Sequence, residues 1–120
     1  MSPEYYRRRS QDEARARLAR TLVAYTLGVP EQDMDALTRR NARVAFGRQV
    51  AMYLAHIAFE LSLSRVAMAF GRDRTTVSHA CHLVEDRRDD PAFDAQLEDL
   101  ESLLRAAPAP APVLDEVPPS

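Results

Sequence analysis

The densest group of side chains able to form specific hydrogen bonds lies in residues 72–82 of this 120-residue chain. At about 100° per residue, Thr75, Ser78 and His79 fall largely on one side of a helix, and Arg74 lies at its N-terminal end. Hydroxyl, imidazole and guanidinium groups of this kind bind base edges in the major groove of DNA, chiefly near the N-terminus of an inserted helix. The spacing therefore favours a helix that meets duplex DNA.

The histidines and the single cysteine of the same stretch raise the alternative of a metal site. His79 and His82 share a face, whereas Cys81 points to the opposite one, and no Cys-x-x-Cys pair or distant ligand set completes a tetrahedral site. A Gly-rich phosphate loop of the Walker type and a nucleophile–base constellation are also missing from the sequence. We therefore expect no metal, no cofactor and no enzymatic activity.

Two short helices joined by a tight turn are predicted to hold the polar face in position. Ser62 and Asp73 can cap the N-termini of the two helices, and Gly71 has the freedom that a helix end requires. The apolar residues of the second helix fall opposite its polar face: Val77, Ala80, Cys81 and Val84. The pattern is typical of a helix-turn-helix, although a plain helical hairpin has the same periodicity.

The run GRDRTTVSHAC, residues 71–81, resembles the signature of the C-terminal DNA-binding domain of the bacterial replication initiator DnaA, which reads Arg-Asp-His-Thr-Thr-Val-x-His-Ala. A second motif, RQVAMYLA at residues 48–55, is similar to the family's Arg-Gln-x-Ala-Met-x-Leu-Ala on the preceding helix. The resemblance spans residues 14–104. Arg74 stands where the family has its base-reading His, and one Gly of the family's turn is missing before Arg72.

The resemblance implies an all-α fold, a small helical bundle containing a helix-turn-helix, as a stand-alone DnaA-like domain with double-stranded DNA as its partner. In the family, an Arg of a basic loop enters the minor groove, and Arg40 in residues 38–47 aligns best with it. A solvated basic loop is the alternative. The expected DNA contacts are Arg39, Arg40, Arg43, Arg48, Gln49, Ser64, Asp73, Arg74, Thr75, Thr76, Ser78 and His79.

Within that set, Arg48 and Gln49 are predicted to open the helix that precedes the helix-turn-helix. Free N–H groups at a helix N-terminus suit a phosphate oxygen. Val50, Tyr53 and Leu54 begin the apolar stripe of this helix, which continues to Ile57 and Leu61.

The charge of the chain is divided along its length. Residues 1–88 hold 15 Arg and 10 acidic residues, a net charge of +5, whereas residues 89–120 hold one Arg and 8 acidic residues, −7, so the chain carries −2 in all. A basic body with an acidic end fits a nucleic-acid partner better than the total charge suggests.

No apolar run reaches the length of a membrane span and no signal peptide is visible, so we expect a cytoplasmic, nucleoid-associated protein with a reduced, buried Cys81.

Three regions follow from composition and periodicity. Residues 1–9 are expected to be flexible, residues 10–105 to form the DNA-binding domain, and residues 106–120 to be a disordered Pro/Ala-rich tail. Ser10 and Glu13 have capping-box spacing and should begin the first helix.

Apolar residues recur along that first helix: Ala14, Leu18, Leu22 and Tyr25, until Gly28 ends it. A further helical turn is expected within residues 31–37. A last helix, capped by Asp90 with Pro91 at its first position, should close the bundle through its apolar residues: Phe93, Leu97, Leu100 and Leu104.

Three functions remain open at this point. The chain is expected to regulate transcription by binding a specific DNA sequence, with a dimer or a co-bound partner supplying further specificity. It would otherwise act as an accessory factor or competitor at DnaA-box-like sites of the replication initiator. A third alternative is a protein-interaction adaptor that uses the acidic last helix and the tail, where residues 113–117 offer a short docking motif for a second DNA-bound protein or the transcription machinery.

Overall fold

The computed structural model describes residues 2–29 and 42–111, and this part of the chain forms five helices and no strand. The helices are α1 (Pro3–Leu27), α2 (Ala42–Ala58), α3 (Leu63–Phe70), α4 (Arg74–Arg87) and α5 (Pro91–Ala106). The all-α bundle expected from the resemblance is confirmed. None of the described helices is long and apolar enough to cross a membrane.

Most helix ends lie where the sequence places a capping residue. The side chains of Ser62 and Asp73 accept hydrogen bonds from the backbone N–H three residues on, at 3.2 and 2.8 Å. Asp90 does the same for α5, at 3.1 Å from the N–H two residues on. Gly28 and Gly71 end α1 and α3 in the left-handed conformation, with φ of 68° and 65°.

The predicted start of α1 at Ser10 is wrong, because the helix begins seven residues earlier at Pro3. The Ser2 side chain accepts a hydrogen bond from the N–H of Tyr5 at 3.2 Å and caps this earlier start. The hydroxyl of Tyr5 also lies 3.7 Å from the sulfur of Met68 on α3. A local cap and a tertiary contact therefore give helical structure to a segment that composition alone marks as flexible.

The buried face of α1 also differs from the predicted stripe. Its buried residues are Asp12, Ala16, Ala19, Val23 and Ala24. Leu18 and Tyr25, two members of the predicted stripe, are 40% and 86% exposed. Small alanines allow α1 to approach α2 closely, and this close packing selects a face that a search for bulky apolar residues does not find.

α2 begins at Ala42 and ends at Ala58, so the expected start at Arg48 is six residues too late. Every residue from Val50 to Ala55 is buried, because α1, α3, α4 and α5 all pack against this helix. The predicted stripe of Val50, Tyr53 and Leu54 is thus confirmed as core, with further faces of the helix buried beside it.

Two hydrophobic clusters fill the bundle. The larger joins α1, α2 and α5, and it includes Leu97, Leu100 and Leu104, so the prediction that the last helix closes the bundle is confirmed. The smaller lies beneath the α3–α4 pair: Met52, Ala55, Leu61, Val66, Ala67, Val77 and Ala80. This second cluster fixes the helix-turn-helix on α2.

Several expectations fall outside the described residues. They are the helical turn at residues 31–37, the minor-groove contacts of Arg39 and Arg40, and the docking motif at residues 113–117.

Candidate nucleic-acid interface

The α3–α4 pair has the construction of a helix-turn-helix. Val66 of α3 and Val77 of α4 are each 0% exposed, and both belong, with Met52 of α2, to the smaller cluster. The two helices thus share a core with the rest of the domain, as the helices of a helix-turn-helix do.

The turn between α3 and α4 needs only one glycine. Gly71 takes the left-handed conformation, and the N–H of Arg72 donates to the carbonyl of Ala67 at 2.9 Å, which completes the end of α3. Asp73 then begins α4 at once. The turn therefore keeps its hydrogen bonds without the second glycine of the family. The space around Gly71 is open, since a Cβ there would have no other atom within 4 Å, so its left-handed backbone is what favours glycine.

One face of α4 is open to solvent. Arg74, Thr75 and His79 are exposed and Ser78 is partly exposed, whereas Val77 on the opposite side is fully buried. These four polar side chains line a shallow groove together with His82 and with Leu63 from the first turn of α3. The structure thus brings the predicted base-reading residues together, and it adds Leu63, which sequence reasoning missed.

A second cleft separates α4 from α2. Its polar lining comes from Arg48 and Gln49 on α2 and from Arg72, Thr76 and His79 at the turn and on α4. His79 therefore borders both the groove in front of α4 and the cleft behind it. Arg72 was matched in the family signature but not predicted as a contact, although its position between two helices could have indicated it.

Arg48 reaches this cleft from a different position than the sequence suggested. It lies in the second turn of α2 and is 7% exposed, so its backbone N–H is inside the helix and cannot point at an anion. The expected contact through a helix N-terminus is wrong for Arg48 and Gln49. Both residues nevertheless line the cleft between α2 and α4.

Arg43 lies at the N-terminal end of α2 instead of in a loop. Its guanidinium donates a hydrogen bond to the backbone carbonyl of Leu27, the last residue of α1. A Cβ on the neighbouring Gly28 would come within 3.2 Å of that guanidinium. Arg43 thus joins the end of α1 to the start of α2.

Two further residues predicted to contact DNA, Asp73 and Ser64, lie outside the groove in front of α4. Asp73 is engaged as the cap of α4, and the hydrogen bond from the backbone N–H of Thr76 lowers the pKa of its carboxyl. Ser64 is exposed in the first turn of α3, where it borders a groove shared with α1. Neither side chain lines the groove in front of α4.

A buried polar cluster fixes the C-terminal end of α4. Arg88 donates to the hydroxyl of Tyr53 at 3.0 Å, to Asp94 at 2.5 Å and to Glu101 at 2.5 Å. Tyr53 in turn donates to Glu85 at 2.7 Å, and burial, together with this bond, raises the pKa of Tyr53 to about 12. Sequence reasoning missed this cluster, which joins α2, α4 and α5.

The histidines and the cysteine do not form a metal site in the structure. Cys81 is half-buried, whereas His79 and His82 are exposed on the other side of α4. Across residues 2–29 and 42–111, no three His, Cys, Asp or Glu side chains approach closely enough to hold an ion.

Known proteins match this architecture. A family model described as the helix-turn-helix of the bacterial DnaA protein matches residues 18–84. The chromosomal replication initiator protein DnaA of Symbiobacterium thermophilum is 41% identical over 87 residues, which cover 71% of this chain and 19% of the initiator. Two solved structures are also similar.

The first of these is the crystal structure of a DNA replication initiation factor, with a TM-score of 0.70 and 30% identity over 80% of this chain and 30% of that protein. The second is a replication initiator DnaA bound to AMPPCP and single-stranded DNA, with a TM-score of 0.68 and 29% identity over 80% of this chain and 29% of that one. The chain thus spans less than a third of each relative's length.

Proposed function

Because the chain belongs to the helix-turn-helix family of the bacterial DnaA protein, we propose that it binds double-stranded DNA sequence-specifically, with α4 in the major groove. The observation that carries the proposal is the position of His79, which borders both the polar groove in front of α4 and the cleft between α4 and α2. A base-reading helix needs a phosphate-binding surface directly beside it, because the DNA backbone flanks the groove.

The groove in front of α4 supplies the base contacts. Arg74 at the first position of the helix is long enough to bond the O6 and N7 atoms of a guanine together. Thr75 and Ser78 offer hydroxyls to either kind of base, and Leu63 offers an apolar surface to a thymine methyl group.

The cleft between α2 and α4 supplies the phosphate contacts. It combines the guanidinium groups of Arg48 and Arg72 with the Gln49 amide, the Thr76 hydroxyl and the His79 imidazole. Guanidinium groups match the geometry of a phosphate and place two hydrogen bonds on it. Because Arg48 is almost fully buried in α2, its charge has a fixed position before DNA arrives.

The minor-groove contact belongs to the basic segment before α2. We assign it to Arg40, with Arg39 beside it, because a guanidinium is attracted by the negative potential of a narrow minor groove. Arg43 lies next to this segment at the start of α2, where its guanidinium also donates to the carbonyl of Leu27.

The biological role that we propose is regulation of transcription. Arg74 stands where the family has a His, and a competitor at the initiator's own sites would retain the same base-reading residue. A site distinct from the initiator's box follows from that substitution. In this role the protein would also contact a partner, either a second DNA-bound protein or the transcription machinery, with the tail as the contact segment.

A second role, as an accessory factor at DnaA-box-like sites, is favoured by the retained Thr75, Thr76 and His79. The third alternative, an adaptor that works through the last helix, has less support. Leu97, Leu100 and Leu104 are buried against the bundle and are not available to a partner.

Fluorescence anisotropy with duplex DNA tests the binding proposal. Affinity should fall steeply with salt, and Arg72→Ala should reduce the slope of log affinity against log salt by about one, because one phosphate contact is lost. The control is Arg17→Ala, an exposed arginine of α1 that borders neither the groove nor the cleft. Affinity that does not change with salt, or an equal effect of the two variants, would contradict the proposal.

A further inference from the structure

The first turns of α1 and the exposed side of α3 enclose a groove that the DNA interface described above does not include. Arg8, Arg9 and Tyr5 line it from α1, and Ser64 and Met68 line it from α3. We propose that this groove is a second DNA-backbone contact, which binds phosphates flanking the base-read site. The inference rests on the proposed function, because it needs α4 to be seated in the major groove.

The groove is rigid. Asp12 on α1, which is 5% exposed, accepts two hydrogen bonds from the Arg65 guanidinium on α3, at 2.8 and 2.7 Å. This paired geometry fixes the first turns of α1 against α3. The arginines of α1 therefore extend from an ordered helix, so no backbone has to be ordered when they bind.

The rim of the groove is positively charged. Arg8 and Arg9 both border it, and the nearby Asp12 carboxylate is already paired with Arg65. Glu13 contacts Arg9 only at 3.3 Å between half-exposed side chains, a weak interaction that phosphate can replace. The guanidinium of Arg8 lies 5.9 Å from the centre of the Tyr5 ring, which holds it at the edge of the groove.

The floor of the groove suits the sugar portion of a DNA strand. Met68 is 52% exposed, and its sulfur lies 3.7 Å from the Tyr5 hydroxyl, so the two side chains form a small apolar surface beneath the arginines. Charged groups at the rim and apolar atoms beneath complement a backbone of phosphates and deoxyriboses.

The groove is continuous with the proposed interface. Ser64 lines it, and the preceding residue, Leu63, lines the groove in front of α4. Two adjacent residues in the first turn of α3 thus border the two surfaces, one residue on each. A DNA strand that leaves the major groove past Leu63 meets Ser64 and then the arginines of α1.

The test compares two duplexes that carry the sequence recovered by binding-site selection with the wild-type protein. One has about 12 base pairs, little more than one helical turn, and the other about 30, which adds nearly a turn on each side. The variant is Arg8→Ala/Arg9→Ala. The matched control is Arg17→Ala, an exposed arginine more than two turns further along the same helix that does not border the groove.

Wild type should bind the longer duplex with a steeper salt dependence than the shorter one. The double variant should lose roughly tenfold in affinity for the longer duplex and reduce its salt slope by about two, with no change on the shorter duplex. Thermal unfolding followed by circular dichroism should show an unchanged midpoint, because both arginines are exposed.

Each other outcome is decisive. An equal loss on both duplexes, or no loss on either, overturns the inference and leaves the proposed function standing. Failure of the wild type to bind either duplex overturns the proposed function itself.

Discussion

Arg88, the residue that follows α4, donates a hydrogen bond across 3.0 Å to the hydroxyl of Tyr53 in the middle of α2. The same guanidinium binds Asp94 and Glu101 of α5. Although burial opposes the charge, these carboxylates and the Tyr53 hydroxyl raise the pKa of Arg88 further above its ordinary range. The end of α4 is thus attached to two other helices through one side chain.

Arg88→Met should lower the free energy of unfolding by about 3 kcal/mol, because the buried Glu101 carboxylate loses its nearest cation and the Tyr53 hydroxyl loses a hydrogen-bond donor. The control is Arg105→Met. Arg105 contacts the same Glu101 at 3.6 Å, but its side chain is 53% exposed, and its loss should change stability by less than about 1 kcal/mol. Urea denaturation of both variants measures the difference, and similar values for the two would contradict a structural role for the cluster.

Asp12→Asn should destabilise the contact between α1 and α3. The Asp12 side chain is 7% exposed and Arg65 36%, so we expect a loss of roughly 1–3 kcal/mol, typical of hydrogen bonds to charged groups. Glu13→Gln removes the neighbouring exposed pair with Arg9 and should change stability by no more than about 0.5 kcal/mol. A double-mutant cycle with Arg65→Met gives the coupling, and additive effects would show that the pair is not coupled.

Arg74 should set the preferred DNA sequence. A bidentate contact with guanine is worth about 1–3 kcal/mol of discrimination, so wild type is expected to select a site distinct from the initiator's box. Arg74→His should shift the preference towards that box, and Arg74→Ala should flatten it. Binding-site selection with all three proteins is the measurement. If wild type selects the initiator's box and neither variant changes the motif, the accessory role at initiator sites replaces transcription regulation.

Cys81 should be nearly inert in the folded protein. Burial, with a smaller contribution from the nearby charge of Glu85, raises the pKa of its thiol to about 11. At pH 8 the thiolate should be roughly a hundredfold scarcer than for a free thiol of pKa about 8.5. Alkylation by iodoacetamide should be slow in buffer and fast in denaturing urea, whereas equal rates would show that the thiol is accessible and unperturbed.

The cap of α4 should make stability depend on pH in the acid range. The backbone N–H of Thr76 lowers the pKa of Asp73, so the ionised carboxylate stabilises the fold above about pH 3.9, the ordinary value. This stabilisation is lost as the pH falls through the lowered pKa of the folded state. Asp73→Asn keeps a capping oxygen that does not titrate. The stability of wild type relative to Asp73→Asn should therefore fall with acidification in urea titrations, and a constant difference would contradict the argument.

Local features of the sequence predicted the helix-turn-helix well. Ser62, Gly71 and Asp73 act through their own backbone neighbours, so their residue types alone indicated where α3 and α4 begin and end. The apolar residues of α5 were equally visible, because that helix has one buried face and a polar remainder.

Contacts between residues far apart in the chain could not be predicted from the sequence. Asp12 is buried because Arg65, 53 residues further on, binds it, and no pattern within α1 indicates such a partner. Arg48 was placed at a helix start because the resemblance assigns residues 38–47 to a basic loop, yet α2 extends back to Ala42. The Arg88 cluster depends on three helices meeting at one point, which only the assembled bundle defines.

The two ends of α4 are held by unequal means: an exposed cap at Asp73 and a buried ionic cluster at Arg88. Arg74, Thr75 and Ser78 all lie in the first turns, away from the cluster, and their side chains face solvent at least in part. The end of α4 that carries these three side chains can therefore vary in sequence while the ionic cluster at its other end continues to hold the helix against α2 and α5.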